Sequence, residues 1–186
     1  YMQLAALELG VGSCLATIKN EYPVLLAGEP EWAPRARALA DRSFELLMFL
    51  TDVLGARVTG ARFEGLATYH DSCSGLRGLG VQKQPRTLLA GVGGLRLAEM
   101  RDADICCGFG GTFCVKYPEI STRMVDDKLA NIESTGADTL LGGDLGCLLN
   151  IAGRLRRLGK TVRVFHTAEV LAGMADGPGL GGGEAG

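Results

Sequence analysis

From residue 66 onward the apolar positions alternate between two rhythms. Short apolar runs at residues 66–70, 95–100, 138–141 and 161–165 read as strands. Between and after them, apolar residues three or four apart predict helices at 85–90, 118–134, 146–158 and 167–174. The clearest is 118–134, where Pro118 suits a first turn, Ile120, Met124, Leu129 and Ile132 lie near one face, and Gly136 follows as a stop. In 146–158 the stripe is Leu148, Ile151, Ala152, Leu155 and Leu158, with Gly159 just beyond. Strands that alternate with helices need crossover connections, so the expected fold class is α/β, a parallel sheet with flanking helices.

The N-terminal third has no such alternation. Ala36, Leu39, Ala40, Phe44, Leu47, Met48 and Leu54 predict one long amphipathic helix between Pro34 and Gly55. Residues 177–186 include six glycines and are expected to be disordered.

Composition narrows the picture. At 186 residues, 47% hydrophobic and 22% charged, the chain is long enough to bury a core and reads as an ordinary globular protein. The net charge of −2 comes from dispersed residues, apart from Arg154, Arg156, Arg157 and Lys160 at the end of a predicted helix, where cations suit the helix dipole. A nucleic-acid surface is not expected. Neither is a membrane span, because no apolar run approaches the roughly 18 residues that one requires. The first residues lack the basic-then-apolar order of a signal peptide, and a cytoplasmic location is the expectation.

The chemistry lies in the cysteines, which stand at 14, 73, 106, 107, 114 and 147. In such a setting metal ligation or redox chemistry is a better expectation than a disulfide framework. Cys73, Cys106–Cys107 and Cys147 are separated by 32 and 39 residues, and each group follows a predicted strand. In a parallel sheet the carboxyl ends of strands lie together, so these four thiols are expected to converge at one sheet edge. Four thiolates suit an iron–sulfur cluster or a closed zinc site. The adjacent pair needs a sharp bend, for which Gly108, Gly110 and Gly111 are placed, and their N–H groups would approach the sulfurs. For a four-iron cube the sulfurs should stand roughly 6 to 7 Å apart. Cys114 lies beyond the bend and reads as a packed free thiol.

Secondary candidates surround this set. His70, three residues before Cys73, is placed to ligate or to hydrogen-bond a sulfur. Asp71 and Asp144 are expected to cap turns or helices, with carboxylate ligation the lesser reading, and His166 to cap and pack. No Ser-His-Asp arrangement or telling carboxylate pair is present. One internal echo stands out, since Cys14-Leu15-x-x-Ile18 matches Cys147-Leu148-x-x-Ile151. If these are equivalent repeats, partners of Cys73 and Cys106 would fall before residue 1, and Cys14 would be an orphan thiol away from the Cys73 group.

The segments Tyr69-His70-Asp71-Ser72-Cys73, Cys106-Cys107-Gly108-Phe109-Gly110-Gly111-Thr112-Phe113, Val115 to Ile120 and Gly143-Asp144-Leu145-Gly146-Cys147-Leu148 resemble the CCG (cysteine-rich) domain family. That family includes the cysteine-rich component of heterodisulfide reductase and the iron–sulfur component of glycolate oxidase, and the lactate utilization protein A branch is the most similar. The resemblance implies two CCG copies in a complete protein. It therefore divides this chain into residues 1–60, the remainder of a first repeat and a connecting helix; 61–175, the second copy; and 176–186, the Gly-rich tail. It also implies electron transfer within a multi-subunit complex that oxidises a 2-hydroxy acid, here L-lactate to pyruvate, with the other subunits of a lactate or glycolate oxidation complex as partners. The fullest family motif ends in Cys-x-x-Cys, but Asp144 stands at the first of those places, and Ser74 replaces an expected His. With that fifth thiolate missing, a 4Fe-4S cube on Cys73, Cys106, Cys107 and Cys147 is the simpler fit. Two other readings of the same residues stand beside it: a structural zinc module, and a thiol–disulfide redox enzyme using Cys106 and Cys107.

Overall fold

A computed structural model describes residues 12–182. Four parallel strands form one sheet: β1 (Arg62–His70), β2 (Gly93–Leu97), β3 (Thr139–Gly142) and β4 (Arg163–His166), in the order β2-β1-β3-β4. The chain leaves β1 for one edge of the sheet, then returns past it to build β3 and β4 on the other side. β1 and β3 therefore flank a topological switch point, where a crevice opens beyond their carboxyl ends. Register brings His70, Gly142 and His166 into one row across that edge.

Strand alternation divides the core between two faces. Leu140 and Val164 point toward the helices Pro118–Ser134 and Leu145–Arg157, meeting Val125, Leu129, Ile132, Leu148, Ile151 and Leu155. Phe63, Ala67, Tyr69, Leu141 and Phe165 point the other way, onto Leu89 of the helix Lys83–Leu89 and Val170 of the helix Thr167–Leu171. His70, one residue beyond Tyr69, thus belongs to the first face.

The expected α/β architecture is the one observed, with three local differences. The long helix expected between Pro34 and Gly55 is broken. Trp32–Asp41 ends, and Leu46–Met48 begins anew with Phe49–Val53 behind it. Glu45 adopts an extended conformation there, and its carboxylate accepts from the N–H groups of Leu47 and Met48 at 2.8 and 3.0 Å, while the Ser43 hydroxyl donates to the Leu39 carbonyl. Side-chain oxygens have displaced the backbone ladder. Residues 177–182 of the tail are held against the domain, residues 183–186 lying outside the described ones: the Leu180 N–H donates to the Val164 carbonyl at 2.7 Å, and its side chain packs against the core. Finally, the buried stripe of Pro118–Ser134 is Ser121, Val125, Lys128, Leu129 and Ile132, leaving Ile120 exposed.

The basic cluster at the end of Leu145–Arg157 is partly taken up in ion pairs. Arg154 meets Asp126 at 2.7 Å and Lys160 meets Glu133 at 2.7 Å, both joining neighbouring helices. Among the described residues no helix is long and apolar enough to cross a membrane.

Candidate metal centre

Three loops deliver the cysteines to the carboxyl edge of the sheet. Cys73 follows β1 and opens the turn Ser74–Gly78, with Ser72 Oγ accepting from Gly75 N–H at 3.1 Å. Cys106 and Cys107 come from the loop after β2, which is tied to the end of β1 by the Asp71 N–H donating to the Ala103 carbonyl at 3.1 Å. Cys147 lies in the first turn of Leu145–Arg157, where Asp144 Oδ1 accepts from its N–H at 3.2 Å. Asp144 is thus the helix cap expected of it.

The bend after Cys107 depends on Gly108. Its φ is 83°, and a Cβ there would lie 2.7 Å from the Ser121 carbonyl oxygen. The bend turns the Gly108 N–H back to Cys106 Sγ at 3.3 Å, while the Ser121 hydroxyl and Asn150 amide hold the Gly108 and Cys107 carbonyls at 2.8 and 3.0 Å.

The four thiols form a connected run. Cys73 neighbours Cys106, Cys106 neighbours Cys107, and Cys107 neighbours Cys147 closely enough for each to influence the next. Burial, followed by the neighbouring Cys106, raises the Cys73 pKa. Cys106 is raised by its hydrogen bond to Cys107 and then by burial. For Cys107 the Cys106 hydrogen bond acts downward, but the bond to Cys147 and burial outweigh it and push the thiol up to about 12. Crowded thiols of this kind stay protonated at neutral pH and give up their protons to a metal cation. A nucleophilic thiol needs the opposite environment.

His70 closes the floor of the site. It is 1% exposed, and among the described residues neither ring nitrogen makes a well-aligned hydrogen bond, the Ala103 carbonyl being near enough only to favour the protonated ring weakly. Its ligating nitrogen and the sulfurs of Cys107 and Cys147 all lie within 4.8 Å of one another. Burial, then the nearby Lys128, pushes His70 down to about 3, so at neutral pH the imidazole is uncharged and has a lone pair to give. Two soft thiols beside an unpartnered imidazole form a donor set that fits a metal. The separation of Cys107 and Cys147 is smaller than the roughly 6 to 7 Å expected across a four-iron cube.

The remaining expected residues lie outside this set. Cys114 donates its thiol to the Gly111 carbonyl at 3.1 Å and joins no sulfur contact. Cys14 is exposed, but its turn, Gly12–Ala16, packs on Ser74–Gly78, so the helix borders the Cys73 loop rather than standing apart from it. His166 caps Thr167–Leu171 as expected, its Nδ1 accepting from Ala168 N–H. Asp71 caps nothing; its carboxylate takes a two-pronged ion pair from Arg86 at 2.8 and 2.9 Å.

Sequence reasoning missed Arg86, Lys128 and the contact of Phe109 with Gly146, where a Cβ would stand 2.4 Å from the ring. Only Lys128 carried a signal, as a lone cation within the apolar stripe of Val125, Leu129 and Ile132.

Comparison with known proteins bears on the family. The cysteine-rich domain (CCG) profile matches residues 67–152, from β1 into the Cys147 helix. Lactate utilization protein A of Geobacillus sp. (strain WCH70) is 52% identical over 160 residues, covering 86% of this chain and 67% of that protein. Proteins of the same name from Bacillus cytotoxicus and Geobacillus kaustophilus are 52% and 53% identical, each over 86% of this chain and 66% of their own length. The chain thus spans about two thirds of these relatives. With half of the aligned residues shared over two thirds of the relative's length, the chain belongs to the lactate utilization protein A family of CCG cysteine-rich-domain proteins.

Proposed function

We propose that this chain is an iron–sulfur electron-transfer unit of a system that oxidises L-lactate to pyruvate. In this reading Cys73, Cys106, Cys107 and Cys147 hold one cluster. The observation that carries it is the convergence of four thiols at one sheet edge, the inner two, Cys107 and Cys147, buried beside the His70 imidazole. The names of the relatives supply the lactate, and the family supplies the cysteine-rich domain.

When bound, such a cluster accepts and passes on single electrons at a potential set by its surroundings. The chain's own residues do the rest. Gly108 N–H donates to Cys106 Sγ, and donation to a ligand sulfur tunes the potential. Cys107 is fully buried and Cys147 nearly so, which keeps water from the inner side of the site. Cys73 and Cys106 are partly exposed, leaving an outer side toward which a donor or acceptor protein can approach. Substrate chemistry would belong to a partner protein in the cytoplasm. The same reading treats residues 1–60 as the remainder of a first cysteine-rich copy, with Cys14 its last ligand.

A second reading is favoured by one observation. The tight His70–Cys107–Cys147 grouping is nearer to the roughly 3.5 Å ligand spacing of one tetrahedral ion than to that of a cube. It makes the domain a zinc-bound interaction module. The raised thiol pKa values speak against the disulfide-exchange reading.

Anaerobic purification followed by visible absorbance and analysis for iron, acid-labile sulfide and zinc decides between them. A brown protein with about four irons and matching sulfide per chain is expected. A colourless protein with stoichiometric zinc and no sulfide would replace the first reading with the second.

A further inference from the structure

Lys128 is the least expected residue of the core. It lies in the middle of the helix Pro118–Ser134 and is 2% exposed. Burying an ammonium is costly unless it is both hydrogen-bonded and compensated. Hydrogen bonding is met by the Cys107 loop, since Nζ donates to the carbonyls of Asp102 and Ala103. The same Ala103 carbonyl accepts from Asp71 N–H, so one backbone knot joins Lys128, the end of β1 and the approach to Cys106.

Burial opposes the charge of Lys128, and the nearby groups that favour it are the Cys107 thiol, which turns negative only when it ionises around a metal, and then Asp102, Asp104 and Asp71. Lys128 also lies close enough to His70 for its charge to oppose protonation of that ring. The ammonium is therefore fixed to the backbone of the loop that carries Cys106 and Cys107, at the Ala103 carbonyl that also meets the end of β1. A neutral side chain could tie two carbonyls. Only a cation also answers the negative charge that arises when thiols ionise around a metal.

We propose that Lys128 is a positioning residue of the metal centre that holds the Cys106–Cys107 loop in place and raises the reduction potential of the group bound there. The proposal rests on the iron–sulfur reading above. Four thiolates leave such a group with net negative charge, and reduction adds one more. A buried cation at short range favours the more negative, reduced form, because charges interact strongly where the dielectric is low.

The test is a redox titration of anaerobically purified holoprotein, comparing wild type with Lys128→Met, Lys128→Gln and Lys128→Arg. Methionine keeps the packing and glutamine keeps a donor, while arginine keeps the charge. The expected result is a midpoint more negative in both neutral variants by at least a tenfold change in the reduced-to-oxidised ratio, about 59 mV for one electron. Lys128→Arg should remain at the wild-type value. Metal-loaded neutral variants that keep the wild-type potential would overturn the proposal. So would failure of Met and Gln variants to fold as metal-free proteins while Arg folds, since Lys128 would then be a folding element only. A colourless, zinc-loaded wild type instead sinks the iron–sulfur reading, and this inference with it.

Discussion

His70 and Asp71 are chain neighbours at the end of β1, and both are almost fully buried. They have opposite fates. Both carboxylate oxygens of Asp71 are met by Arg86, which also grips Glu99 at 2.7 and 2.8 Å. No well-aligned hydrogen bond meets either nitrogen of His70 among the described residues. Strand alternation sends the two side chains to opposite faces of the sheet, Asp71 toward the helix that carries Arg86 and His70 toward Cys107 and Cys147. A buried polar group with all its partners is scaffolding. A buried polar group with none is a standing cost, of about 1 to 3 kcal/mol, that folding alone does not explain. The difference separates the frame of this domain from its working part.

The largest effect should come from the working side. Cys107→Ser removes the innermost sulfur, and metal per chain after anaerobic purification should fall to near zero. Cys114→Ser, one turn beyond the bend, should leave it unchanged, since that thiol only meets the Gly111 carbonyl. Equal losses from both would show that the site is not bounded as described.

The scaffold side predicts a different signature. Arg86→Met leaves the Asp71 carboxylate buried and unpaired, which should cost about 3 kcal/mol in urea denaturation. The loss of Glu99, which is half exposed, should add little. Metal content of the folded fraction should stay at wild-type level. If it falls in parallel with Cys107→Ser, Asp71 and Arg86 belong to the centre after all.

What the sequence made legible follows the same division. The sheet and its helices were readable because Leu140, Val164, Leu148 and Ile151 repeat at strand and helix periods, and burial is what those periods encode. Cysteines that follow strands could be placed at one edge before any coordinates, since parallel strands end together. The pairing of Asp71 with Arg86, 15 residues away, left no periodic trace. Nor did the docking of Leu180 on the edge strand β4. Lys128 was missed for another reason: although it interrupts an apolar stripe, a charged residue on a helix is assigned to solvent by default, and only its carbonyl partners reverse that. The helix break at Arg42–Glu45 turned on side-chain oxygens competing for a backbone acceptor at Ser43 and for backbone donors at Glu45, a local contest that a hydrophobic stripe does not record.

His70→Leu sharpens the comparison from the other direction. Replacing an unpartnered imidazole by an apolar side chain should stabilise the metal-free protein by about 1 to 3 kcal/mol, because the penalty of the unmet nitrogens is removed. Metal affinity should fall at the same time. A mutation that strengthens the apoprotein and weakens the holoprotein is what a ligand or sulfur-facing group predicts. If the apoprotein is instead destabilised, His70 has a structural partner and the contrast with Asp71 dissolves.

Glu45 stands between these extremes and predicts the smallest effect. It is half-buried, and its Oε2 accepts two backbone N–H groups while the rest of the carboxylate faces the interior near Tyr69 and Gly143. Burial pushes its pKa up, the Met48 and Leu47 N–H groups pull it down, and burial wins. The folded protein therefore holds this proton more tightly than the unfolded chain. Stability from the protonated group is fully present below the unfolded value near 4.5 and is lost as pH rises through the folded value. Glu45→Gln keeps an acceptor oxygen for the cap and cannot ionise, so the variant should gain on wild type as pH rises from about 4 to about 7. The gain should stay below the roughly 1 kcal/mol of a lost cap, because the two N–H bonds offset most of the burial. Urea midpoints for both proteins across that range measure it. A wild type that gains on the variant with rising pH would mean that the N–H bonds outweigh burial, placing Glu45 with Asp71 among the fully compensated groups.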